Sequence, residues 1–242
     1  MKLAVKIPSP GKITKILIIA VLLLTLLSLL TVLLRFKWDF LLGERIFNLN
    51  DEANVPTWFS STTLLFAAIL AWLIARCLKL AQKPFFKSWI VVGCSLFFMS
   101  LDEFIQIHEA VGRVLIRTEA LPSLGFNVWI IPGLALVLGV ALIILRMWWN
   151  LPSRFRLVFL LATLVYFSGT LVTEAIGNAI WKGTGYNTVG FALFIHIEEV
   201  LEMLGVVILI NGLMNYLNIC SDQICFELQG DEPVHPIQQS AR

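Results

Sequence analysis

Asp102, Glu103, His108 and Glu109 sit close together in the stretch SLDEFIQIHEAVG, within an apolar run from Trp89 to Ile116. A later stretch, FIHIEEVLEMLG, carries His196, Glu198, Glu199 and Glu202, and a third apolar segment carries Glu174. Carboxylates and imidazoles are the side chains of acid–base catalysis, of divalent-metal binding and of proton relays. A charge at the centre of a membrane helix costs about 2.5–3.5 kcal/mol, and residues kept there at that cost usually face a functional interior.

The chain has 242 residues, 58% hydrophobic and 14% charged, with a mean hydropathy of +0.85. This is a membrane composition, and the lipid bilayer is the partner it implies. The net charge of +2, with no basic patch interleaved with aromatics, speaks against a nucleic-acid partner. Glycines follow neither the dinucleotide nor the phosphate-loop spacing, and no serine triad is evident. Cys77 and Cys94 read as small buried hydrophobes. Cys220 and Cys225 have neither a zinc nor a thioredoxin spacing.

The fold class that follows is all-α, an integral membrane bundle of six transmembrane helices over residues 1–217, with a polar tail at 218–242. The expected spans are 16–34, 59–75, 88–113, 128–145, 157–181 and 189–213, each near the roughly 20 residues a crossing helix needs. The first run ends in Leu34-Arg35-Phe36-Lys37 without a small-residue cleavage site, so it reads as a retained helix.

Basic residues orient the bundle. With the N-terminus cytoplasmic, Lys2, Lys6, Lys12, Lys15, Arg76, Lys79, Lys83, Lys87, Arg146, Arg154, Arg156 and Arg242 fall inside. Arg35, Lys37, Arg45, Arg113, Arg117 and Lys182 fall outside. Twelve against six places both termini in the cytoplasm. Asp102 then lies roughly 21 Å above the inner end of its span at 1.5 Å per residue. Glu174 and the His196–Glu202 group come to a similar height, so all three groups fall in the outer half of the membrane.

On a continuous third helix Asp102, Gln106 and Glu109 share a stripe, Glu103 flanks it, and His108 points roughly 120° away from Asp102. That angle suits a satisfied interfacial histidine. His196, Glu199 and Glu202 follow an i, i+3, i+6 ladder with Glu198 at its edge, and Thr170, Glu174 and Asn178 repeat every four residues. Polar stripes in lipid must face one another. The Lys and Arg of these stretches, Arg113, Arg117 and Lys182, sit only at their outer ends, and close carboxylates cannot all remain ionised. A metal site is therefore the working expectation, with Asp102, Glu109, Glu174, His196, Glu199 and Glu202 as ligands. Glu103, Gln106, Asn178 and Glu198 stand behind them. Oxygen ligands with imidazole favour Fe, Mn or Zn, and such a site suits a membrane oxidoreductase or hydrolase. A proton or cation translocator is the alternative, although the inner halves of these spans offer few polar groups beyond Cys94, Ser95, Thr163 and Tyr166. A structural or assembly protein, its carboxylates locking helices together, is the third.

Ser100-Leu101-Asp102-Glu103 with His108-Glu109, followed by Glu199 and Leu201-Glu202-Met203-Leu204-Gly205, resembles a group of uncharacterised multipass membrane proteins of bacteria and cyanobacteria. The resemblance covers the third to sixth spans. It implies a bacterial cell inner membrane location, or a thylakoid membrane in a cyanobacterium, and implies nothing about substrate.

Overall fold

The computed structural model describes residues 9–38, 45–49, 53–118, 128–173 and 189–222. The elements among them are helical: α1 (Pro10–Trp38), α2 (Val55–Leu80), α3 (Phe86–Ile105), α4 (Ile107–Arg117), α5 (Ile130–Asn150), α6 (Ser153–Phe167) with a π-helical continuation (Ser168–Thr173), and α7 (Val189–Asp222). Among the described residues four segments are long and apolar enough to cross a bilayer: Pro10–Leu34, Val55–Leu80, Phe86–Ile105 and Ile130–Asn150.

Local chemistry sets several boundaries. Asn54 caps α2: its side-chain oxygen accepts the Thr57 N–H at 3.0 Å, and Pro56 occupies the first turn, where its missing N–H costs nothing. A short turn with left-handed backbone at Gln82 and Phe85 reverses the chain into α3. The two helices are then clasped by serines. The Ser61 hydroxyl donates to the Ser100 carbonyl at 2.8 Å, and the Ser100 hydroxyl donates to the Ser61 carbonyl at 2.7 Å. Such interhelical bonds contribute on the order of 1 kcal/mol each in a bilayer.

The main core joins α2, α3, α6 and α7. Leu64, Ala67, Ala68, Ala71 and Ile74 meet Trp89 and Leu96, Phe155 and Phe159, and Ile210 and Leu213. The central helix is α7, which packs against α1, α2 and α6. Its approach to α6 depends on glycine. A Cβ at Gly205 would lie 2.7 Å from the Tyr166 backbone nitrogen, and one at Gly212 would lie 2.8 Å from the Phe159 ring. Small residues that let backbones close up are the usual device where lipid supplies no hydrophobic drive.

By contrast, α5 is peripheral. Its substantial partner among the described elements is α3, and Met147, near its end, is its one buried residue. The boundary of the last helix also differs from the sequence reading. Polarity suggested a tail from 218, but α7 continues to Asp222, and Cys220 is buried in the main core. Local composition does not register that packing.

Candidate functional site

The third expected span is not one helix. At Gln106 the backbone turns left-handed (φ 62°, ψ 43°), its N–H closes α3 on the Asp102 carbonyl at 2.7 Å, and α4 starts at Ile107. The break folds His108 back onto Asp102. One carboxylate oxygen accepts the His108 backbone N–H at 2.8 Å, and the other lies 2.9 Å from His108 Nδ1. Asp102 thus caps the start of α4, where a negative charge is favoured by the free N–H groups and the helix dipole. It also fixes the imidazole, with Nδ1 as the donor. Trp129 covers the ring at 4.8 Å between centroids. The expectation that His108 points away from Asp102, and that Asp102, Gln106 and Glu109 share a stripe, assumed a continuous helix and is corrected here.

On α7 the expected ladder divides. An i, i+3, i+6 series drifts by about 60° per step, so His196 and Glu202 stand about 120° apart. Glu199 and Glu202 face a cavity, together with Glu198, which is four residues from Glu202 and only about 40° from it. His196 is buried at 4% exposure against α1. Its Nε2 lies 2.8 Å from the Ser28 hydroxyl, and that oxygen also accepts the Leu49 N–H at 3.0 Å. The imidazole therefore joins α7 to α1, and it does not line the cavity.

Across from α7, α6 passes into the π-helical stretch at Ser168. Single π turns are frequent at functional positions. Gly169 sits against the Glu198 carbonyl and the Glu202 side chain, so close that a Cβ there would lie 2.8 Å from the former. Thr170 lines the same cavity as Tyr166. Asp102, Glu103, Glu199 and Glu202 line that cavity together with Tyr166. Sequence reasoning noted Tyr166 as a rare polar group in an apolar run and gave it no role. The signal was the polar tip of a partly buried tyrosine, which seeks a hydrogen-bond partner.

The cavity has a volume of about 940 Å³. Asp102, Glu103, His108, Glu109, Glu198, Glu199, Glu202 and Tyr166 line it, with Ile130, Pro132, Leu134, Leu136 and Val137 of α5 on the opposite wall. Glu109 is engaged by Arg113 at 2.7 Å, a one-turn pair at the rim. Gln106 serves as the hinge and Glu103 lines the wall. Glu174 and Asn178 lie outside the described residues. Among the described residues, no three of His, Cys, Asp and Glu are grouped closely enough to hold a metal ion.

A family profile described as a domain of unknown function (DUF8692) matches residues 16–216. The chain belongs to this family. The DUF8692 match runs from α1 into α7 and takes in all the cavity-lining side chains named above. No curated protein and no solved structure matches the chain.

Proposed function

We propose that this DUF8692 protein is a six-span membrane protein with both termini in the cytoplasm of a bacterial cell, and that the acidic cavity in the outer half of the bilayer is an acid–base site. The observation that carries this reading is the Asp102–His108 pair at the cavity wall. A carboxylate on Nδ1 selects the tautomer whose Nε2 can take up a proton, which is the part an orienting acid plays beside a catalytic histidine. Glu103, Glu199 and Glu202, with the Tyr166 hydroxyl, supply acidic and hydrogen-bonding groups around the same space. A hydrolase or oxidoreductase reaction on a membrane-borne substrate suits this set. Histidine-selective acylation read by mass spectrometry tests it. His108 should be modified and His196 protected, and Asp102→Asn should slow modification of His108 several-fold. Equal rates in the two proteins would remove the orienting role.

One observation favours a second reading, a bound divalent ion such as Fe, Mn or Zn. Asp102, Glu103, Glu199 and Glu202 line one cavity, and close carboxylates call for protons or a cation. That ion would take Glu199 and Glu202 of the cavity wall, with Glu174 as a further ligand to be tested beside them. Element analysis of the purified protein should then find a metal that Glu199→Gln removes. A metal-free protein ends this reading and leaves the acid–base reading standing.

A further inference from the structure

A second cavity, of about 340 Å³, lies between the first turns of α6 and the later turns of α7. Arg154, Phe155 and Val158 line it from α6, and Asn211, Asn215 and Asn218 from α7. It lies beside the helix contact at Gly212, where a Cβ would be 2.9 Å from Val158. Neighbouring elements set its level in the membrane. The segment Ile130–Asn150 is apolar enough to cross the bilayer, and α6 starts at Ser153. Trp148 and Trp149 close that segment, at the level tryptophan favours among headgroups, and the Arg156 guanidinium lies 5.9 Å over the Trp149 ring. Arg154 is therefore at the boundary between lipid and water. Val158 and Leu161 follow it on the same helix face, and Leu161 is 52% exposed.

The α7 wall is fixed by the protein itself. The Asn215 amide donates to the Asn211 carbonyl at 2.8 Å and to its side-chain oxygen at 3.1 Å. The Asn211 amide donates to the Thr14 hydroxyl at 2.7 Å, which donates to the Pro10 carbonyl at 2.9 Å. This chain of bonds ties α1 to α7 and leaves a wall that is polar and uncharged. Arg154 brings the charge. Its guanidinium lies 4.7 Å over the ring of Phe155, which is buried and holds the cation at the cavity. Stacking uses the flat face of the guanidinium, and its N–H donors lie in the plane, at the edge. Lys12 and Lys15, both exposed, flank Thr14 and add charge of the same sign.

We infer that this cavity binds the phosphate of an anionic phospholipid, gripped by Arg154 beside the asparagine wall, with the acyl chains along Val158 and Leu161. A guanidinium fork matches two phosphate oxygens, and basic pockets between helices at the membrane surface suit such headgroups. The volume is at the small end of ligand pockets, roughly 300–1,000 Å³, which admits a headgroup and leaves the chains outside. A free phosphate would share the Arg154 contact, but the apolar ridge below it favours a lipid. The site does not depend on the acid–base reading; only its assignment to the cytoplasmic leaflet rests on the proposed orientation.

The test is native mass spectrometry of the full-length protein with an equimolar mixture of phosphatidylglycerol and phosphatidylcholine of matched chains. The first lipid retained should be phosphatidylglycerol, by about tenfold, as a charge-assisted contact gives. Arg154→Gln should abolish that preference. Asn218→Trp, which fills the cavity from an exposed position and keeps Arg154, should abolish it too. Arg76→Gln removes the same charge from an exposed position away from the cavity and should leave the preference intact. Equal retention of both lipids overturns the inference, as does a preference that survives Arg154→Gln or Asn218→Trp. Equal loss in Arg76→Gln would reduce it to net surface charge. Displacement of phosphatidylglycerol by millimolar inorganic phosphate would mark a free-phosphate site and overturn the lipid.

Discussion

Gln106 is the residue on which the site turns. A non-glycine residue in the left-handed region costs about 1–2 kcal/mol, and here that backbone brings His108 within 2.9 Å of Asp102. Gln106→Gly should therefore keep the pair and hold or raise the thermal unfolding midpoint in detergent. Gln106→Val should lower stability by about 1–2 kcal/mol and expose His108 to faster, less specific acylation. A valine variant as stable as the parent would mean the break is not held by this residue. The kinds of residue in the site were legible in the sequence because carboxylates in apolar runs stand out. The pairing of His108 with Asp102 was not. Phe104-Ile105-Gln106-Ile107 contains neither glycine nor proline, so nothing in the periodicity marks the break, and a continuous wheel sends the two side chains apart.

Among the elements, α7 does two jobs on two faces. Its acidic face lines the cavity through Glu198, Glu199 and Glu202, while His196 holds α1 through Ser28. The ladder read from the sequence merged these faces, because i, i+3 spacing looks like a stripe over one step and is about 120° off it by the second. Most helix positions were legible from hydrophobic run length. The peripheral place of α5 was not, since lipid-facing and protein-facing leucines have the same composition. His196→Ala should cost about 2 kcal/mol, from a lost buried hydrogen bond and the space left behind, with no change in the metal content of the purified protein. A loss of bound metal in that variant would return His196 to the ligand set. Gly205→Leu should be more damaging, because its side chain must displace the backbone of α6 at Tyr166. Loss of the folded protein from detergent extracts is the expected result, and normal yield would contradict the close helix contact.

At the scale of the whole molecule, the proposed orientation would put the cavity with its carboxylates toward the outer face and the described apolar core toward the inner half. On the other side of Tyr166 and Glu202 the described core of Trp89, Leu96, Phe159 and Ile210 is apolar. Reconstituted vesicles should show no proton or common-cation flux above empty controls, and a flux abolished by Glu199→Gln would favour the translocator. The same architecture predicts sidedness: a cysteine near Asn50 or Gly183 should react with an impermeant thiol reagent from outside intact cells, and one near Gln82 should not. The most direct test of the central claim combines both features in a chain freed of its own cysteines. Glu199→Cys and Ile210→Cys are compared for reaction with a small impermeant thiol reagent applied from each side of the membrane. Position 199 is expected to react from outside only, and position 210 to be inert from both sides. Reaction of 199 from the cytoplasmic side, or of 210 from either, would contradict an acidic cavity that opens outward and is closed below.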